Sequence, residues 1–142
     1  MLNHDVVRQL EIPETVIERV AAAELQEIER RERRFREGRP APPLAGKIVI
    51  LIDDGLATGS TMRAAVVAVR LQQPARTIVA VPVAAAITCE LLRGEANEVV
   101  CLATPEPFFA VGQWYGNFDQ TSDEEVHDLL ARASHFASPK AS

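Results

Sequence analysis

Two adjacent carboxylates, Asp53 and Asp54, stand at the end of an uninterrupted aliphatic run, Ile48-Val-Ile-Leu-Ile52. Such a pair can accept hydrogen bonds from a vicinal diol or approach a divalent cation. The next seven residues, Gly55-Leu-Ala57-Thr58-Gly59-Ser60-Thr61, contain two glycines and three hydroxyl side chains. Glycine lets backbone N–H groups converge on a small anion. The segment then enters an amphipathic stretch, so a helix N-terminus adds its dipole and free amides to the same place. Thr58, Ser60 and Thr61 can add hydroxyl donors. A diol reader beside a phosphate cradle describes a site for a ribose 5-phosphate.

Three plainer readings compete. An aliphatic strand ending in Asp-Asp could be a Walker B strand, but that requires a partner GxxxxGK[ST], which the sequence lacks. A receiver domain also carries an acidic pair at a strand end, without a glycine/threonine loop after it. Asp-Asp-Gly could also be a turn with no chemistry; against this stands the whole string.

The elements that must position these residues alternate. The run 47–52 reads as a strand covered on both faces. Residues 61–72 carry Met62, Ala65, Val66 and Val69 at helical spacing. Strands are expected at 77–83 and 99–103, with a short helix over 86–93 closed by Gly94. Pro82 suggests that its strand ends there or lies at an edge. Thr121/Glu124 or Ser122/Glu125 would form the capping box of a last helix. Alternating strands and helices imply βαβ units and a parallel sheet, with ligands beyond the carboxyl ends of the strands. That places 53–61, 83–88 and 103–115 on one rim.

Residues 14–37 read as one charged helix, opened by Pro13 and stopped by Gly38 before Arg39-Pro40. Glu27–Arg31, Glu29–Arg33 and Glu32–Arg36 are i,i+4 pairs of favourable order. The helix reads as a solvated arm or lid. The domain plan is therefore a helical arm over 1–38, a core over 39–133 and a disordered tail over 134–142.

Composition narrows the class. The chain has 142 residues, 47% hydrophobic, and a net charge of −5. An acidic chain of this size is a poor binder of nucleic acid. No apolar run approaches the roughly 20 residues of a membrane span, and the polar start does not read as a signal peptide. Cys89 and Cys101 read as small buried hydrophobes in a reducing compartment. A cytoplasmic location is expected. His4, His127 and His135 share no ligand spacing, and no direct metal ligand set is expected beyond Asp53 and Asp54.

The string DDGLATGST after a buried strand resembles the phosphoribosyl-diphosphate (PRPP) signature of type I phosphoribosyltransferases. Adenine phosphoribosyltransferases carry a very similar string. The ERRERRFREGRP arm, VPVA, EVVCLATPEPFFAVGQWY and FDQTSDEEV are similar to a bacterial branch of the family, and the likeness covers about residues 3–130. The resemblance implies an α/β fold: a three-layer, mainly parallel sheet of the phosphoribosyltransferase (Rossmann-like) type, with the long charged helix N-terminal to it. It implies that Asp53 and Asp54 hold the ribose hydroxyls. Gly55 and the backbone of Ala57, Thr58, Gly59, Ser60 and Thr61 would hold the 5-phosphate. Mg²⁺ would arrive with the diphosphate, and the partners would be PRPP and a nitrogenous base or nucleotide. Phosphoribosyl would pass to or from the base with diphosphate as leaving group. Phe109-Ala-Val111-Gly112 is similar to the segment where purine salvage enzymes stack the base, so Val83, Phe109, Val111, Trp114 and Tyr115 become base-side candidates.

Two departures qualify the resemblance. Hypoxanthine-guanine enzymes place an Asp where this chain has Ala57, and a Lys where it has Val83, Ala84 and Ala85, so a 6-oxopurine is not supported. Family members also carry an earlier βα unit with the diphosphate loop. The expectation here is an N-terminally incomplete fold whose raw sheet edge a homodimer could cover. The alternative to an enzyme is a truncated, inactive module that binds PRPP or a nucleotide. A third reading is an assembly remnant with a relic loop.

Overall fold

A computed structural model describes residues 4–36 and 39–136. The chain divides into two compact units. One is Pro42–Phe118; the other contains the described residues of Leu2–Ala41 and Asp119–Ser142.

The first unit is built on three parallel strands, β1 (Ile48–Ile52), β2 (Arg76–Val83) and β3 (Glu98–Ala103), in the order β1-β2-β3. Val49 pairs with Thr77 and Leu51 with Val79; Val79 in turn pairs with Val99 and Val81 with Cys101. β-branched side chains dominate β1 and β2, as suits a pleated, packed surface, and β3 adds Val99 and Val100. Helix α3 (Ser60–Arg70) crosses from β1 to β2, and α4 (Ala86–Arg93) from β2 to β3. The α/β class and the parallel sheet expected from the alternating pattern are thus present. The expected helix over 61–72 spans Ser60–Arg70, and that over 86–93 is found at those limits.

The helices cover one sheet face. Met62 and Val66 of α3 and Cys89 and Leu92 of α4 form the core with Val79, Val81, Leu56 and Ala84, and Leu51, Val99 and Cys101 pack against it. The other face corrects the expectation that β1 is covered on both sides. Its residues alternate, with Ile48, Ile50 and Ile52 exposed, and Ile52 retains 77% of its surface. Across the same face Val100 and Leu102 are exposed as well, Leu102 at 80%. A continuous aliphatic run therefore reported strand identity correctly and coverage incorrectly. Run composition cannot say which face has a partner.

Pro82 meets the first of its two alternatives and not the second: β2 ends one residue later, at Val83, but it is the central strand and not an edge. The β2–β3 ladder pairs Val81 with Cys101 and Val83 with Ala103, leaving Pro82 between them. A proline there removes one donor near the strand's end and is tolerated because the bonds on both sides persist.

In the second unit α2 (Glu14–Arg36) takes up the charged stretch expected to be helical over 14–37, and a short helix, α1 (His4–Gln9), precedes it. The Pro13 carbonyl accepts the Val16 and Ile17 amides at its start. The three anticipated pairs form: Arg31–Glu27 at 2.7 Å, Arg36–Glu32 at 2.9 Å and Arg33–Glu29 at 3.8 Å. Each is exposed and contributes little. Arg34 also reaches Glu124 at 2.6 Å, tying α2 to α5 (Asp123–Phe136). Of the two capping boxes the second has the bond: the Glu125 amide donates to Ser122 Oγ at 3.2 Å. Gly38, expected to stop α2, lies outside the described residues. So does the tail beyond Phe136, where α5 runs through the first positions of the segment expected to be disordered. No helix among the described residues is long and apolar enough to cross a membrane.

Leu92 is fully buried at the centre of the core. Leu92→Ala should lower the stability of the sheet unit by about 2–5 kcal/mol, whereas Ile52→Thr on the exposed face should stay within about 0.5 kcal/mol of wild type. Urea denaturation of both variants checks the contrast.

Candidate phosphoribosyl-binding site

The acidic pair leaves β1 at the rim. There the chain makes one further sheet-like contact before becoming helix. Leu56, 2% exposed, forms an isolated parallel bridge with Ala84. Its amide donates to the Val83 carbonyl at 3.0 Å, and its carbonyl accepts the Ala85 amide at 2.9 Å. The loop is thus hung from the end of β2 by a buried residue in its middle.

Two glycines make that path possible. Gly59 has φ of +69°, the left-handed region that side chains disfavour. A Cβ there would lie 2.5 Å from Thr88 Cγ2. Gly55 is closed on both sides: a Cβ would meet Val111 Cγ1 at 2.7 Å and the Val83 carbonyl oxygen at 2.8 Å. Beyond Gly59 the first bond of α3 runs from the Arg63 amide to the Gly59 carbonyl at 2.9 Å. The amides of the first helical turn have no acceptor within the helix, and that of Ser60 makes only a long contact of 3.5 Å to Thr58 Oγ1, so the turn can receive an anion. Thr58 and Ser60 hydroxyls lie 3.3 Å apart, and both side chains are exposed at this mouth.

Asp53, Gly55 through Met62, and Val111 line one cleft of about 180 Å³. Asp53 Oδ1 accepts the Asp54 amide at 3.0 Å, fixing the turn between the two carboxylates. Asp54 titrates above the ordinary aspartate range, chiefly because burial disfavours its charge and next because the Asp53 carboxylate is adjacent. Among the described residues no group of three or more His, Cys, Asp or Glu could hold a metal ion.

The base-side candidates divide. Val83 and Val111 close around Gly55, and Val111 lines the cleft. Tyr115 donates its hydroxyl to the Asp54 carbonyl at 2.5 Å. Phe109 and Trp114 do not line the cleft and present exposed ring surface, Phe109 at 75%. One residue that the motif alone does not reveal is Thr88. It is buried on α4, and its hydroxyl donates to the Ala57 carbonyl at 2.6 Å. Its only sequence signal is a hydroxyl residue at the end of the second rim segment, 83–88. Arg63 carries no such signal; its Nε reaches Glu95 Oε1 at 2.7 Å and ties α3 to the α4–β3 turn.

A parallel α/β sheet with an acidic pair, a glycine-bent loop and a helix N-terminus on one rim has the layout of the α/β proteins that bind ligands beyond the carboxyl ends of their strands. The comparisons narrow it. The model of the phosphoribosyl transferase domain matches residues 1–113. Proteins of two Mycobacterium tuberculosis strains, CDC 1551 / Oshkosh and ATCC 25618 / H37Rv, each named "Putative phosphoribosyl transferase", are 46% identical over 133 residues. The match takes in 94% of this chain and 30% of each relative. The crystal structure of TT1426 from Thermus thermophilus superposes with a TM-score of 0.73 at 38% identity, covering 92% of this chain and 62% of that one. The chain belongs to the phosphoribosyl transferase domain family, and it spans under a third of the length of the mycobacterial relatives.

Two expectations follow from the loop. Gly59→Ala must hold a left-handed backbone and displace Thr88, and should lower thermal stability by about 1–2 kcal/mol, measured as a melting-temperature shift. For Asp54 the raised folded value means that its contribution to stability is present in acid and is lost as pH rises through that value. Asp54→Asn should therefore raise the melting temperature at neutral pH. The gain should shrink on acidification, as seen by melting both proteins across a pH series.

Proposed function

We propose that this chain is a phosphoribosyltransferase domain that binds PRPP through residues 53–61 and supports transfer between ribose C1 and a nitrogenous base. The single observation that carries the reading is the cleft lined by Asp53 and by Gly55 through Met62, which brings an acidic residue and the first residues of α3 to the border of one small volume. The amides and the hydroxyls of Thr58, Ser60 and Thr61 suit a 5-phosphate, which is small, anionic and rich in acceptors. Asp53 and Asp54 suit the ribose 2- and 3-hydroxyls, to which ionised carboxylates are strong acceptors.

In this reading the bond from C1 to the diphosphate oxygen breaks with its electron pair leaving on diphosphate. The bond from C1 to the base nitrogen forms, and the nitrogen's proton passes to solvent. The positive charge that develops at C1 lies close to the acidic pair, so the carboxylates both orient the sugar and favour the charged transition state. Asp54 holds its proton more tightly than an ordinary aspartate, so hydroxyl donors or a cation beside it would favour its ionised form. Mg²⁺ fits this donor set: two carboxylates are too few for a protein cage, but enough for an ion that keeps diphosphate oxygens and waters as its main ligands. When bound it would neutralise the diphosphate. Exposed Phe109 and Trp114 remain the candidate faces for a planar base.

Calorimetry with Mg²⁺-PRPP on the wild-type chain and on the doubly substituted Asp53→Asn/Asp54→Asn chain tests the proposal. Wild type should bind, and the double variant should bind on the order of 100-fold more weakly, as expected for losing charge-assisted hydrogen bonds. A folded wild type that does not bind would defeat the reading.

A further inference from the structure

The loop's path is set from outside the loop. Two side-chain hydroxyls, distant in sequence, each take one of its carbonyls. Tyr115 donates to Asp54 at 2.5 Å, and Thr88 donates to Ala57 at 2.6 Å. Each sits beside a glycine that admits its own element. Val111, in the 3-10 turn Val111–Trp114 just before Tyr115, presses on Gly55; the Thr88 methyl presses on Gly59. Leu56 between the two grips is fixed to β2. The acidic end and the anion-binding end of the loop are therefore gripped separately.

The supports are themselves held. Thr88 is 3% exposed within the core face of α4. The Tyr115 ring packs on Phe118 with centroids 5.1 Å apart. Phe118 also lies against Gly112, where a Cβ would meet Phe118 Cδ1 at 2.8 Å. A tyrosine anchored through its ring and giving its hydroxyl to a main-chain carbonyl acts on the backbone that carries the carboxylates. A hydroxyl that only needed solvation could have faced water.

We propose that Tyr115 and Thr88 are positioning residues: Tyr115 sets the backbone of the acidic pair for the ribose hydroxyls, and Thr88 sets the amides that receive the 5-phosphate. The inference rests on the PRPP reading of the site. It gives Tyr115 a ribose-side task where the sequence had suggested the base. Neither residue need touch the ligand. Each keeps the site in its binding shape before ligand arrives, which lowers the ordering cost of binding.

The test uses the full chain with ribose 5-phosphate and Mg²⁺-PRPP as probes. Thr88→Val exchanges the hydroxyl for a methyl of similar size, and Tyr115→Phe removes the hydroxyl alone. Each should weaken both probes by about three- to tenfold, the size of one hydrogen bond, with melting temperatures near wild type. Thr88→Ser should restore binding. Wild-type affinity in both hydroxyl-free variants would overturn the proposal, as would a loss that tracks melting temperature and is not rescued by serine. Amide hydrogen exchange across 55–61 in the unliganded protein separates this failure from that of the PRPP reading. Faster exchange in the variants, with no binding even by wild type, removes the ligand assignment and with it the ribose and phosphate tasks. Unchanged exchange removes the grip itself.

Discussion

A single buried residue in the loop, Leu56, ties the site to the sheet. Its amide and carbonyl continue the hydrogen bonding of β2 past the point where β1 has ended, and its side chain enters the core with Met62, Val66 and Ala84. A glycine-rich segment would otherwise carry a large conformational entropy, and its amides would not hold a common direction. Anchoring the middle residue divides the segment into two short arcs, Asp53–Gly55 and Ala57–Gly59. Each arc is short enough for one outside contact to fix it. The dependence runs in both directions, because the loop also closes the top of the core between α3 and α4.

The geometry explains why the loop combines extremes of side-chain size. Gly55 and Gly59 lie where Val111, Val83 and Thr88 approach too closely for a Cβ, and Leu56 lies where a large apolar group is required. The hydroxyl residues fall at the exposed mouth, where an anion could reach them. The cost of bringing two carboxylates together is visible in Asp54, which burial and its neighbour hold toward the protonated form. A site that stores such a cost is poised for a partner that relieves it, such as hydroxyl donors or a cation.

Much of this was legible in the sequence, for particular reasons. The strand β1 announced itself by an aliphatic run, and α3 by apolar residues at helical spacing, because local sterics and periodicity act over a few neighbouring residues. The acidic pair, the glycines and the hydroxyls were legible because the loop is contiguous. The exposed face of the sheet was not: Ile48, Ile50 and Ile52 look the same in sequence whether or not anything packs on them. Pro82 marked the end of its strand but not the strand's place in the sheet, since a proline near a strand's end is compatible with either an edge or a centre until the neighbouring ladder is known.

By itself, then, the sequence determined the chemistry available to this protein: which carboxylates, which amides and which hydroxyls stand together at the end of β1. Only the tertiary structure decided what holds them. Thr88 is 31 residues from Ala57 and Tyr115 is 61 residues from Asp54. Contacts at such separations are made by the parallel crossovers of the sheet and by the turn that follows β3, and no local pattern of residues encodes them. Motifs are written in neighbouring residues because their atoms must converge within one loop. Supports can come from wherever the fold brings a hydroxyl to a carbonyl, and folding, which acts on the whole chain at once, makes that choice.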